Sequence, residues 1–105
     1  MWATNVWSMV SANFIKGFMG RVREDPELSA FHVSVYCALV YYGEHVAQKE
    51  TFTVFSREIL PYAKVSRPGT YHQLLSDLAR RGYIEYHPSH SPKIGSLVTL
   101  VSRAA

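Results

Sequence analysis

Cysteine is almost missing from this sequence. Cys37 is the only one in 105 residues, which excludes an intrachain disulfide and suits a reducing compartment. Its place in the apolar run Val35-Tyr36-Cys37-Ala38-Leu39-Val40 predicts a buried, inert thiol. Long apolar runs are missing too. Lys16, Arg21, Arg23 and Glu24-Asp25 interrupt the N-terminal third, so no stretch approaches the roughly 20 residues that span a bilayer. The opening Met1-Trp2-Ala3-Thr4-Asn5-Val6-Trp7 lacks the basic leader of a secretory signal. A cytoplasmic location with no membrane partner is the expectation.

The usual marks of catalysis are also lacking. There is no glycine-rich phosphate loop, no His-Glu metal motif and no nucleophile elbow. His87 and His90 have the spacing of a metal pair, but no cysteine or carboxylate stands nearby to complete a tetrahedral set. The chain is therefore expected to be no enzyme, to use no cofactor or metal, and to take no small-molecule ligand.

Acidic residues run short in one half only. Residues 59–105 hold two, Asp77 and Glu85, against six Lys/Arg, whereas residues 1–58 hold six against five. The C-terminal half is thus the part able to hold a polyanion, although a solvated basic face would have the same composition. With 48% hydrophobic and 18% charged residues the chain sits well within the range of folded proteins. Its length suits one domain.

Hydrophobic spacing then orders the elements. Val10, Phe14, Phe18 and Val22 recur every four residues and predict an amphipathic helix from about Met9 to Arg23, ended before Asp25-Pro26-Glu27. Ser29 suits the N-cap of a second helix reaching about Val46, with one stripe of Phe31, Val35, Leu39, Tyr42 and Val46 and a second of Val33, Tyr36 and Val40. Apolar on most sides, this helix is expected at the centre. Thr51-Phe52-Thr53-Val54-Phe55 reads as a short strand. Ser56 would cap a third helix to about Ala63, bounded or bent by Pro61.

Ser66 would cap a fourth helix, 66–81, with Pro68 in its first turn. Tyr71, Leu74, Leu75 and Leu78 fall at i, i+3, i+4 and i+7, and Gly82 provides the left-handed stop. The period then changes to alternation in Tyr83–His87 and again in Ser96–Ser102, joined by a Pro- and Gly-containing arm, 88–96. Helix, strand, helix, turn, helix, strand, loop, strand is an α+β order: a winged helix-turn-helix, a helical bundle with a small antiparallel sheet. Residues 1–27 would form an N-terminal helix for packing or dimerisation, and 28–105 the winged domain.

Such a fold reads duplex DNA with an outward helix and basic margins. A rotation of 100° per residue puts Gly69, Gln73, Ser76 and Arg80 opposite the apolar stripe of the fourth helix. Arg67, Thr70 and His72 lie near its start. Arg67 and Gln73 are the first candidates for base contact, because Arg pairs with guanine and Gln with adenine. Thr70 and His72 come next, with Ser66, Ser76 and Arg80 completing the face. Lys93 is the candidate phosphate contact in the wing, and Ser91 and Ser96 are weaker ones.

Several stretches carry a resemblance. They are Asn13-Phe14-Ile15-Lys16, His32-Val33-Ser34-Val35-Tyr36, Ser56-Arg57-Glu58, Thr70-Tyr71-His72-Gln73-Leu74-Leu75, Gly82-Tyr83-Ile84-Glu85-Tyr86 and Pro88-Ser89-His90-Ser91-Pro92-Lys93-Ile94-Gly95-Ser96. From about Asn13 onward their order resembles a family of small bacterial winged-helix transcriptional regulators, often carried with mobile elements. The resemblance implies sequence-specific binding of double-stranded DNA, with the recognition helix beginning near Ser66. It implies no effector. Where the family has a lysine-rich turn before Thr-Tyr-His, this chain has Ser66-Arg67-Pro68-Gly69.

Two other readings stand beside it. Winged helices also serve as protein-interaction modules, and a DNA-binding accessory factor for plasmid replication or element excision would have the same surface. Trp2, Trp7, Phe14, Phe18 and Met19 are expected either to fold back onto the core or to form a homodimer interface through the N-terminal helix.

Overall fold

The computed structural model describes residues 6–89 and 93–101. Among them it shows an α+β arrangement of four α-helices and one three-stranded antiparallel sheet.

The first helix, α1 (Val6–Val22), is anchored by two aromatic side chains. Phe14 and Phe18 are buried in the same core as every later element. Phe18 stacks on Tyr36 with ring centroids 3.9 Å apart and meets Tyr83 edge-on at 5.0 Å. Such pairs add about 0.5–1.5 kcal/mol beyond the area they bury. Of the two fates expected for these residues, Phe14 and Phe18 fold back onto the core, while Met19 stays 45% exposed. Trp2 and the Trp7 side chain lie outside the described residues.

Ser29 caps α2 (Ala30–Tyr42), with a histidine in the slot that usually holds Glu or Gln. The His32 backbone N–H donates to Ser29 Oγ, and the Ser29 N–H donates back to His32 Nδ1 at 2.9 Å. The helix packs on α1 and on the two later helices, so it is the central one. It does not stay α-helical to Val46. Gly43–Ala47 form a π-helical turn, closed by Gln48 in the left-handed conformation. The wider turn changes the rotation of the residues within it, so Val46 leaves the apolar stripe and is 53% exposed. Phe31, at the other end of that stripe, is 56% exposed. Gly43 sits against β1 (Thr51–Val54); a Cβ there would stand 3.0 Å from the Phe52 ring. Cys37 is half-buried rather than fully so, and burial pushes its thiol pKa up.

The next helix, α3 (Ser56–Ala63), begins one residue earlier than expected and is not capped by Ser56. Its N-cap is Phe55, whose backbone N–H donates to Glu58 Oε1 at 2.9 Å. The other Glu58 oxygen accepts from the Tyr42 hydroxyl at 2.8 Å, tying α3 to α2. The Ser34 hydroxyl donates to the Ala63 carbonyl across the same contact.

Lys64, in the left-handed conformation, and buried Val65 form the turn to α4 (Pro68–Arg80). The four residues expected on its apolar face, Tyr71, Leu74, Leu75 and Leu78, are the ones it buries. Burying each large apolar side chain contributes about 1.5–3 kcal/mol, which fixes the rotation of the helix. The Tyr83 N–H returns to the Leu78 carbonyl and the Gly82 N–H to that of Ala79, a paired closure that needs the positive φ of Gly82, 83°.

Strands β2 (Ile84–His87) and β3 (Ser96–Leu100) are shorter than predicted, and β3 lies between β1 and β2. Thr51 faces Thr99 in one ladder and Ile84 faces Leu100 in the other. Gly95 enters β3 so close to β1 that a Cβ would stand 2.8 Å from the Val54 carbonyl oxygen. That approach sets where the 88–96 arm leaves the sheet.

Candidate nucleic-acid interface

Because Tyr71, Leu74, Leu75 and Leu78 turn inward, the opposite face of α4 has to look outward. Gly69, Thr70, His72, Gln73, Ser76 and Arg80 are all exposed. A Cβ added at Gly69 would meet nothing within 4 Å, so no other described part of the chain covers the start of this face. Ser66 and Arg67 are exposed as well.

Ser66 does not cap the helix. The N-cap is Arg67, held in an extended conformation ahead of Pro68, and among the described residues no side-chain cap bonds the first-turn amides. Proline at the first position disfavours helical geometry in the residue before it, so the helix begins after Arg67 and Ser66 falls outside. Ser66 is thereby displaced from the helical face where it was expected.

Three side chains meet on one carboxylate that sequence reasoning left out. Asp77 Oδ2 lies 2.9 Å from His32 Nε2, and Asp77 Oδ1 accepts from Gln73 Nε2 at 3.1 Å and Arg80 Nη2 at 2.9 Å. His32 is 7% exposed and Asp77 half-buried, whereas Gln73 and Arg80 are exposed. The donors hold the Asp77 carboxyl below its ordinary pKa, with the His32 hydrogen bond first among the causes. The signal was present in the spacing, since Gln73, Asp77 and Arg80 stand at i, i+4 and i+7 of one helix.

The hydrogen bonds around His32 select one tautomer of its neutral ring. Its Nδ1 accepts from the Ser29 amide, which leaves the proton of the neutral ring on Nε2, facing Asp77.

The other flank of α4 leads to the sheet. His72 Nδ1 lies 3.1 Å from the Tyr86 hydroxyl on β2, and the nearby Ser96 side chain offsets part of the rise that burial causes in the Tyr86 pKa. The Ser89 N–H donates to Ser96 Oγ at 3.4 Å across the base of the arm. The outer face of α4 and the root of the 88–96 arm are therefore linked through Tyr86, a second residue missed from sequence. Lys93 is exposed within that arm; His90 and Ser91 lie outside the described residues.

Arg81 takes no part in this face. Its guanidinium is clamped between Asp25 (2.5 Å) and Glu27 (2.7 Å) of the α1–α2 connection, where it neutralises two acidic charges. Among the described residues, no His, Cys, Asp and Glu side chains gather in threes as a metal set, and no helix is long and apolar enough to cross a membrane. Comparison with family profiles, with curated proteins and with solved structures finds no match for this chain, so none of the three identifies a family for it.

Proposed function

We propose that this chain is a winged helix-turn-helix protein that binds double-stranded DNA and regulates transcription, with α4 entering the major groove and the 88–96 arm lying along the backbone. The observation that carries this reading is the uncovered face of α4. It presents Gly69, Thr70, Gln73, Ser76 and Arg80 outward, with Arg67 at its start and the arm joined to its flank through Tyr86. Short polar groups fit a groove floor, and cations at the margin meet phosphates. The uncapped amides of the first turn of α4 add a further anion-binding feature.

Arg67 and Gln73 contact bases, Thr70, His72 and Ser76 line the groove, and Arg80 and Lys93 meet phosphates. The test is retention on random duplex across a salt series. The expected outcome is an affinity that falls steeply with salt, and an Arg67→Ala, Lys93→Ala variant that binds more weakly, with a log–log slope shallower by about 0.9 for the one cation, Lys93, removed from the phosphates. An unchanged slope in that variant rejects the assigned surface. Absence of any salt-dependent binding by the unaltered chain rejects the function.

A homodimer belongs to the same proposal, because helix-turn-helix proteins commonly bind two-fold sites. Phe14 and Phe18 are committed to the core, which leaves Met19 as the exposed described anchor on α1. Sedimentation as a monomer at about 10 μM, a concentration at which mass action favours a stable dimer, removes it.

One observation favours a protein-interaction module instead. Tyr41 and Tyr62 are 44% and 52% exposed, with rings 5.1 Å apart, on a ledge between α2 and α3. Binding carried by that ledge would be abolished in a Tyr41→Ala, Tyr62→Ala variant and insensitive to changes at Arg67 and Lys93.

A further inference from the structure

We propose that Asp77 sets the base preference of α4, by holding the Gln73 amide in the one orientation that matches adenine. This rests on the duplex-binding reading above and deepens it.

A relay of hydrogen bonds runs outward from the core. Ser29 donates its backbone N–H to His32 Nδ1 at 2.9 Å, so the neutral ring carries its proton on Nε2 and donates it in a hydrogen bond to Asp77 Oδ2. His32 is buried, which leaves the ring no room to swing away. The carboxylate is thus fixed from behind, and its second oxygen faces the solvent side of the helix.

An ionised carboxylate only accepts hydrogen bonds. The side of the Gln73 amide that lies 3.1 Å from Asp77 Oδ1 therefore has to be the NH2 group and not the carbonyl. The Arg80 guanidinium on the same oxygen keeps the carboxylate ionised and turned that way. One Gln73 N–H is used. One N–H and the carbonyl Oε1 remain, a donor beside an acceptor. Adenine offers the complement in the major groove, N7 accepting and N6–H donating, whereas guanine offers two acceptors. Gln73 is exposed on the outward face, so nothing else within the described residues competes for that pair.

Selection of bound sequences from a random duplex pool tests this. The unaltered chain should enrich adenine at one position by roughly tenfold, the usual scale for a bidentate contact. Gln73→Ala, an exposed change that leaves the core intact, should abolish that enrichment. Asp77→Ala should weaken it, and should add nothing in the Gln73→Ala background.

Asp77→Asn supplies a second arm that keeps the side-chain volume. His32 Nε2–H still requires an acceptor, which turns the asparagine carbonyl to His32 and its NH2 toward Gln73. The Gln73 amide then has to reverse and present two donors, and the preference should move from adenine to guanine. A purely structural role for Asp77 would alter melting and leave base preference untouched. Adenine enrichment that persists in Gln73→Ala, or an unchanged preference in Asp77→Asn, overturns the inference while leaving duplex binding in place. A chain that retains no duplex at low salt overturns both.

Discussion

Replacing Asp77 with alanine removes the acceptor for three donors at once, and the three do not cost the same. Gln73 and Arg80 are exposed, so water takes over their hydrogen bonds, and the exposed Arg80 pair contributes on the order of 0–1 kcal/mol. His32 is different. Its side chain is 9% exposed, and removing Asp77 strips its Nε2–H of the acceptor it uses in the parent. An unsatisfied buried donor costs about 1–3 kcal/mol, and the better helix propensity of alanine offsets about 0.5 kcal/mol of that. The expected loss is therefore about 1–2 kcal/mol, or about 5–15 °C in Tm for a domain of this size. The loss also depends on pH in a fixed direction. The Asp77 carboxyl sits below its ordinary value of 3.8 in the folded chain. A depressed carboxyl pKa stabilises fully above the unfolded value and stops doing so as pH falls through the folded one. Urea unfolding of the two proteins should thus show the full gap at about pH 7, and a gap that shrinks once the pH drops below about 4. A variant as stable as the parent at neutral pH would refute the reasoning, as would a gap that persists unchanged in acid.

The same geometry sets the outcome of several simpler substitutions. Leu78→Ala, at a fully buried position, should cost about 2–5 kcal/mol in denaturant unfolding, whereas Gln73→Ala should stay within about 0.5 kcal/mol of the parent. Gly95→Ala should destabilise by about 1–3 kcal/mol, because its methyl would press on the Val54 carbonyl and Thr53, neither of which is the loose end of a long side chain. Gly69→Ala, facing open space, should instead raise stability by about 0.5 kcal/mol, and a Tm that falls would show that something covers that face.

The elements with a strong period were legible in the sequence. The apolar face of α4 could be read residue by residue because Tyr71, Leu74, Leu75 and Leu78 obey one helical spacing, and Gly82 ends the helix as its lack of a side chain predicts. Ser29 was legible as a cap for a similar reason: its geometry is local. What failed depended on neighbours in space. The π turn at Gly43–Ala47 is tied to the close approach of β1, which no stripe of apolar residues announces. Ser56 and Ser66 both have the side chain of a cap, yet Glu58 supplies the acceptor at one helix and Pro68 moves the start of the other. The candidate face was likewise legible in outline and incomplete in detail. Gln73 and Arg80 could be placed by rotation alone. Asp77, which orients both, is a lone acidic residue on a helix of a basic half-chain, and its link to His32 spans 45 positions.

The surface itself is tested most directly by titrating random-sequence duplex at low salt into the 15N-labelled chain and following each backbone amide. Shifts should concentrate from Arg67 to Arg80 and from Lys93 to Ser96. Shifts centred on Tyr41 and Tyr62, or no shifts at all, would contradict duplex binding through α4 and the arm.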